Sequence, residues 1–531
     1  MQETIGSLGS ILGRLRYIFS IDSRTLALFR VLMGLLIIGD LLARASTFSM
    51  FYTEDGLAPQ SLAQARTVDH AFSFFFLTTS TPVIAALFLL HGLIAIQLIV
   101  GYKTRLATIL SFLFVISLDN HNPLNTSHAD SLFRLLFFWA MFLPLGERWS
   151  IDAVHRGTPG RASIANLASA AILLQMIYMY LVNGMLKTLS DSWTDGTATP
   201  IVFGLDDMTY FLAVYLREYP TLLGYGGTLW FGMLIASPLL LIFPGWLRAI
   251  FTSMFVVVHL SFALTVRIGG FGWVAIAGVI LFLPGQVWDT LGRLADAPHA
   301  VGRSLHWLRT AGHRAGEWLA NALPRLKIPV QVPAWAVSLT GTTLVLGAIV
   351  AVFVVSSTVH LHRWAEIERA PTTLEERIYE GTQMFRVNQA LWTVFAPNPR
   401  STDRYYVFPA RTADGEMLDV YNDRPLTFDR PYRELQLQYG NYRERFYMNS
   451  SRRAGSRGQV NPILAEYICR TYREDHGIEL THLNMYEVVE TITLDTITDP
   501  DARERTRRLY YQHGCGDNEP EELEVPEMSM R

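Results

Sequence analysis

The sequence predicts a mainly α, polytopic membrane protein: a bundle of about nine transmembrane helices followed by an extracytoplasmic α+β domain. Three observations carry this. Half of the 531 residues are apolar and only 17% are charged, against about a quarter charged in an ordinary soluble chain. The apolar runs are concentrated in 25–285 with one more at 334–357, while the chain from 358 onward is polar and charge-rich. Lys and Arg are divided unequally between alternate loops. Net charge is −3, so no global field points to nucleic acid, and none is expected as a partner.

A hydrocarbon core takes about 20 mostly apolar residues per helix. Runs at 25–43, 82–100, 104–118, 130–146, 165–186, 221–244, 247–266, 271–286 and 334–357 meet or approach that length. The apolar piece 70–79 is too short and reads as interfacial or re-entrant. No small-residue cleavage site follows the N-terminal segment, and the first run holds Arg30 and Asp40, so it is expected as a retained signal-anchor. With the N-terminus inside, the inner segments carry fifteen Lys/Arg and the outer loops five. That excess predicts nine crossings with the tail outside, and compact loops suggest a bacterial inner membrane. The expected divisions are a bundle (1–286), a cytoplasmic connector (287–333), a last transmembrane helix (334–357) and an outer domain (358–531). Within the connector, 303–323 interleaves Leu305, Leu308, Trp318 and Leu319 with arginines. It reads either as an amphipathic helix on the inner surface or as a solvated connector.

Charges inside spans are costly and are functional candidates by default. Asp40 and Arg44 lie four apart on one helix face and are expected to pair, and Arg134 follows Asp130 by one turn in the same way. Either pair reads equally as a structural ion pair. His259 sits within FVVVHLSFAL, as a packing residue or a site residue.

The fifth span ends in YMYLVNGMLKTLSDSWTDGTA. Tyr180, Asn183 and Lys187 are three and four apart, so they share one face and climb toward the outer boundary. Gln175 and Tyr178 continue the polar character deeper. One reading of Lys187 is a snorkelling anchor; the other is a partly desolvated lysine whose neutral amine acts as a base. Lys103 is the only other lysine before residue 327, and an acidic, aromatic loop (Asp191, Trp193, Asp195) follows; both favour the second reading. On the same side, the loop LDNHNPLNTSHAD supplies His121, Asn122, Asn125, Ser127, His128 and Asp130. No histidine or acid spacing there matches a metal site, and no metal is expected. The loop reads as hydrogen-bond donors above a membrane cavity, or as an ordinary turn.

In the tail, 405–410 and 416–421 flank Asp414–Gly415 as a hairpin. Residues 462–474 read as a helix, 484–497 as one or more strands, and the acidic end after 516 as disordered. Cys469 and Cys515 are the only cysteines and can form one disulfide in an oxidising compartment.

The segments FRVLMGLLIIGDLLAR with FYTEDGLAP, LFRLLFFWAMFLPLGERWSID, YLVNGMLKTLSDSW and HLSFALTVRIGGFGWVAIAGVILFLPG, in that order, resemble the HTTM family. Its best-known member is the vitamin K-dependent γ-glutamyl carboxylase. The resemblance covers about residues 20–286. It implies that Lys187, three residues after Gly184, corresponds to a catalytic base, and that His128 corresponds to a functional outer-loop histidine, although that loop aligns only with a gap. It implies a reduced vitamin K-type or other quinone as cofactor, with Tyr180, Asn183 and His259 as cofactor-binding candidates. The departures are a leucine (Leu186) where the carboxylase has an adjacent lysine, a longer step from the lysine to the tryptophan, and a short tail. NQALWTVFAPNPRSTDRYYVFPARTADGEMLDVY looks instead like the tail of bacterial members, with a weaker likeness to lipase maturation factors. Two expectations follow: a carboxylase-like membrane enzyme with a lysine base, or a non-catalytic scaffold or maturation factor. The expected partners are membrane lipid and a protein substrate or partner on the outer side.

Overall fold

The computed structural model describes residues 13–297, 300–325, 339–364 and 370–528. Among the described residues eleven longer helices, with shorter ones between them, make the bundle and its connector: α1 (Ser23–Ala45), α2 (Thr81–Val100), α3 (Thr104–His121), α4 (His128–Ala140), α5 (Leu167–Lys187), α6 (Pro220–Ile235), α7 (Gly245–Thr265), α8 (Phe271–Val279), α9 (Gly285–Ala295), α10 (Ala300–Ala322) and α11 (Leu339–Trp364). Of these, α1, α2, α5, α7 and α11 are long and apolar enough to cross a membrane, which fits a multi-pass membrane protein. A sixth crossing is available if α8, extended by a 3-10 turn to Phe282, and α9 form one span bent by 93°.

The remaining apolar runs differ from the nine expected spans for local reasons. Helix α4 has 13 residues, about 20 Å of rise, and Pro144 follows soon after. Nearly all its side chains are buried, so its apolar character serves the protein core. Helix α3 ends in Asp119, Asn120 and His121, and α6 closes at Ala236 before resuming as a short turn after Pro238. The 70–79 piece is a 3-10 turn, Phe74–Leu77, capped by the Ser73 hydroxyl. The connector segment is helical as α10, with Trp307 and Trp318 exposed. The start of the last expected span, 334–338, lies outside the described residues, as does 326–333 of the connector.

In α1 each polar or small residue of the first motif has a physical task. Arg30 is fully buried, has no carboxylate partner among the described residues, and donates to the carbonyls of Leu145 (3.0 Å), Arg148 (3.1 Å), Ile99 (3.3 Å) and Trp149 (2.5 Å), tying the end of α2 and the segment after α4 to α1. A Cβ at Gly34 would lie 2.5 Å from Ile99 Cγ1, so glycine allows α2 to approach closely.

The tail opens with α12 (Thr373–Gln383) and then builds one antiparallel sheet. Its strands are β1 (Thr402–Val407), β2 (Pro409–Thr412), β3 (Met417–Asp419), β4 (Arg424–Pro425), β5 (Leu480–Thr491) and β6 (Arg505–Gly514). The order is β1-β5-β2-β3-β4, with β6 on the other edge of β5. The expected hairpin is β2–β3, turning through Gly415 at φ +86°. Helices α13 (Tyr442–Ala454) and α14 (Val460–His476) cover the sheet, the second matching the expected helix. Cys469 on α14 and Cys515 after β6 form a disulfide, which closes a loop worth roughly 4 kcal/mol in the chain-entropy picture. The acidic end has no regular secondary structure yet returns to the sheet: Glu521 pairs with Arg411 at 2.8 Å and Leu523 is buried.

Buried charges join tail to bundle. Asp40 and Arg44 pair at 2.7 Å as expected, but Arg134 does not pair with Asp130. It reaches Asp119 at 2.5 Å. Asp130 instead caps α4 with Ser127 and accepts from Arg443 of α13 at 2.9 Å. The same guanidinium nitrogen bonds Asp40 at 2.5 Å, and Arg443 Nη1 bonds the Asn125 carbonyl at 3.3 Å. A second junction centres on Asp206, which pairs with Arg217 of the same loop (2.5 Å) and with Arg430 (2.8 Å) and Arg503 (3.0 Å) of the tail. Removing one partner of a buried ion network leaves an uncompensated charge, at about 3–5 kcal/mol. Arg443→Met is therefore expected to lower stability by about that amount in thermal unfolding of the detergent-solubilised protein. Adding Asp130→Asn in the same chain should recover part of the loss.

Candidate functional site

Helix α5 begins with a capping box between Asn166 and Ser169 and runs to Lys187. Its periodicity places Gln175, Tyr180, Asn183 and Lys187 among its buried side chains. Gly184 permits the approach of α6: a Cβ there would lie 3.0 Å from both Leu234 Cβ and Ile235 Cδ1. One turn after Gly184, Lys187 is 2% exposed.

The lysine meets the tail. Its Nζ donates to the carbonyls of Val394 and Phe395, each at 3.2 Å, and lies 3.4 Å from the centroid of the Trp193 ring. Among the described residues no carboxylate pairs with it. Asn183 donates to the carbonyls of Trp392 (2.7 Å) and Val394 (3.0 Å). Deeper in α5, Gln175 and Gln389 exchange amide hydrogen bonds at 2.9 and 2.6 Å, and Trp392 Nε1 donates to Gln389 Oε1 at 3.0 Å. Trp193 Nε1 donates to the Pro397 carbonyl at 3.0 Å. The polar face of α5 is thus an anchor strip for residues 389–397.

Beside this strip lies a cavity of about 70 Å³, lined by Tyr180, Asn183, Lys187, Trp193, Trp230, His259, Phe262, Phe271, Trp392, Val394 and Phe395, with aliphatic neighbours. His259, from α7, is fully buried and its Nε2 shares a 2.8 Å hydrogen bond with the Tyr180 hydroxyl. Which of the two donates depends on the imidazole tautomer. His259 Nδ1 has no partner, a costly state for a buried polar atom. Trp230, Phe255, Phe262 and Phe271 rings surround the imidazole at 5.4–6.0 Å or close to its tyrosine partner.

Four of the five sequence candidates therefore share one cavity: Lys187, Tyr180, Asn183 and His259. His128 does not join them. Its ring stands 6.1 Å from that of Trp392 and lines a second cavity, of about 600 Å³. Burial pushes the His128 imidazole below its ordinary value. The segment between the cavities acts as a partition: Ala390, Leu391 and Thr393 face the second cavity, while Trp392, Val394 and Phe395 line the first. In the polar loop, His121, Asn122 and Asn125 are buried with unpartnered side-chain atoms. Asp191 and Asp195, at the end of α5, are exposed and contribute nothing to the lysine. Among the described residues no group of three or more His, Cys, Asp or Glu is placed to hold a metal ion.

Sequence reasoning missed Gln389 and Trp392. Their signal was present in NQALWTVFAPNP, an amide and an aromatic in an apolar stretch, but no periodicity links that stretch to α5. Two outcomes are expected from substitutions here. Lys187→Met should leave thermal stability unchanged or raise it, because a desolvated amine without a carboxylate partner is removed. Trp392→Ala should cost about 3–5 kcal/mol and join the two cavities, read by unfolding and by new protection of His128 or Lys187 against small reagents on ligand addition.

An HTTM domain model matches residues 19–288, a range that includes Lys187 and His259 and ends before the partition. No curated protein and no solved structure matches the chain.

Proposed function

The chain belongs to the HTTM family, the family of the vitamin K-dependent carboxylase-like proteins, and from that premise we propose that it is a membrane enzyme in which Lys187 is the base. The observation that carries this reading is a lysine shut into an apolar, aromatic cavity with two carbonyls and an indole ring for company. Structural lysines in such surroundings ordinarily pair with a carboxylate. A lysine kept without one is available to take up a proton, and the surrounding rings exclude the water that would otherwise compete.

The lining suits a flat apolar ring such as a reduced quinone. Tyr180 and His259 would hold polar groups on it, and Trp230 and Trp392 would flank its faces. Such a group would supply redox chemistry that couples proton removal to oxygen. The volume of about 70 Å³ is well below the roughly 300 Å³ of the smaller ligand pockets, so entry requires Trp392 or Trp230 to turn aside. Asn183 and Lys187, through their bonds to 392–395, then hold the cavity shut, and movement of the tail segment opens it. Carboxylation of a glutamate side chain is the reaction the family suggests, and family membership alone does not carry it over to this chain.

A scaffold reading has one observation in its favour: the chain's own tail, through Trp392, Val394 and Phe395, closes one side of the cavity. In that case Lys187 anchors residues 394–395, and the outer domain holds a protein partner.

We place the tail on the outer side, in a bacterial inner membrane, on the bias of Lys and Arg and on the Cys469–Cys515 pairing, which belongs to oxidising compartments. A C-terminal alkaline phosphatase fusion should then be active and a C-terminal green fluorescent fusion dark; the reverse pattern removes the outward assignment. For the chemistry, mass spectrometry of lipids retained by the gently solubilised protein is expected to find a near-stoichiometric quinone that Lys187→Met reduces or alters. Bulk phospholipid alone, the same in both proteins, would favour the scaffold.

A further inference from the structure

The second cavity has a charge balance unlike the rest of the bundle. Elsewhere most buried guanidiniums are matched by carboxylates or by several carbonyls, Arg248 resting instead on the Phe282 ring. Here Arg134 is already engaged, on Asp119 at 2.5 Å and on the backbone carbonyl of Arg386 at 3.0 Å. Asp130 is engaged by Arg443 at 2.9 Å. Arg386, half-buried at the cavity wall, makes no side-chain hydrogen bond or ion pair among the described residues. Arg66, on the exposed side of the same cavity, also makes none. Arg386 is held there at φ +49° by the Arg134 bond to its carbonyl. Burial and the neighbouring Arg134 push its guanidinium down to about 10, so it remains a cation at neutral pH.

Neutral donors complete the lining. His128 stands on one wall, and His360 of α11, whose Nδ1 faces the Tyr379 hydroxyl at 3.3 Å, on another. Asn388 gives one amide hydrogen to the Gln389 carbonyl at 3.3 Å and has a second. The cavity, about 600 Å³, lies within the range of small-molecule sites. Two guanidiniums with no hydrogen-bonded carboxylate among the described residues, Arg386 at the wall with Asp119 and Asp130 only at longer range and Arg66 exposed, favour an anionic ligand. A phosphate group carries about −1.5 to −2 at neutral pH and matches the forked donors of arginine.

We propose that the cavity between the His128 turn, the end of α11 and residues 383–393 binds a phosphate group, with Arg386 as its principal ligand and Arg66 closing the open side. The shared chemistry fits a free phosphate or phosphomonoester and equally an anionic lipid head group, since α11 forms one wall. This inference does not rest on the lysine reading, because the phosphate would sit on the other side of the partition.

The test uses the full chain, purified in neutral detergent and phosphate-free buffer. Thermal unfolding is followed by tryptophan fluorescence during titration with inorganic phosphate, with chloride at matched ionic strength as control. A second arm uses phosphatidylcholine nanodiscs with and without phosphatidic acid. A saturable rise in Tm with inorganic phosphate is expected for a free-solute site, and a rise with phosphatidic acid alone for a lipid site. Arg386→Gln should keep the Tm of the unliganded protein and weaken half-saturation at least tenfold, and Arg386→Lys should fall between. Arg66→Gln, at an exposed position that folding does not need, should weaken it by about threefold. No rise with either probe, or the same rise in wild type, Arg386→Gln and Arg66→Gln, overturns the proposal.

Discussion

A buried charge must find a partner, and in this chain the partners lie hundreds of residues away. Arg443 is the clearest case. It enters the bundle from the tail and bonds Asp40 of α1, Asp130 of α4 and the carbonyl of Asn125. Without it two carboxylates share a dry space with Arg44 alone, which itself sits on Asp40 and 3.5 Å from Asp130. The Asp206 cluster repeats the arrangement at a second point, with Arg430 and Arg503 reaching in from the tail. Bundle and tail are therefore one cooperative structure. Neither set of charges is satisfied alone, and desolvation makes an unsatisfied set expensive.

Against that background Lys187 is a buried amine that no carboxylate among the described residues meets. Every ingredient for pairing it was available in sequence, since Asp191 and Asp195 follow within eight residues, yet both turn outward. The lysine receives carbonyl dipoles and a ring face instead. Dipoles alone hold a lysine's charged form more weakly than a carboxylate does, and natural proteins tolerate such arrangements chiefly where function needs them. The unpartnered His259 Nδ1 in the same cavity is a second departure of the same kind. The two departures fall within one small volume, beside the lysine.

Much of this was legible in the residues. The three-and-four spacing of Tyr180, Asn183 and Lys187 told which face of α5 they share, and the hairpin at Gly415 and helix α14 followed from turn chemistry and periodicity. What the spacing could not tell was the partner. Arg134 stands one turn from Asp130, as a helical pair should, but Asp119 of α3 lies closer to its guanidinium, and Asp130 is drawn to Arg443. Span counting met a related limit: nine runs were expected, and five or six helices among the described residues are long and apolar enough to cross. A run of 13 to 16 apolar residues looks the same whether it faces lipid or the protein core, and α4 and α6 are short because neighbours and prolines, not the bilayer, set their ends. His128 opens α4 directly after the polar loop, and the path of the tail puts Trp392 between it and the lysine.

The partition also bears on what family membership can mean here. The HTTM match ends at residue 288, and it brings Lys187, Tyr180, Asn183 and His259 with it. The lid of their cavity comes from residues 389–397, beyond the match. Two chains can therefore share the lysine, its helix and its aromatic surroundings and still differ in what reaches the lysine, because a different tail would close the cavity differently. The α5 face reflects this division of labour: Gln175, Asn183 and Lys187 all spend hydrogen bonds on the tail segment. A change in that segment would alter access without touching the lysine. Access to the cavity in this architecture is then set by the tail, and the lysine itself by the bundle.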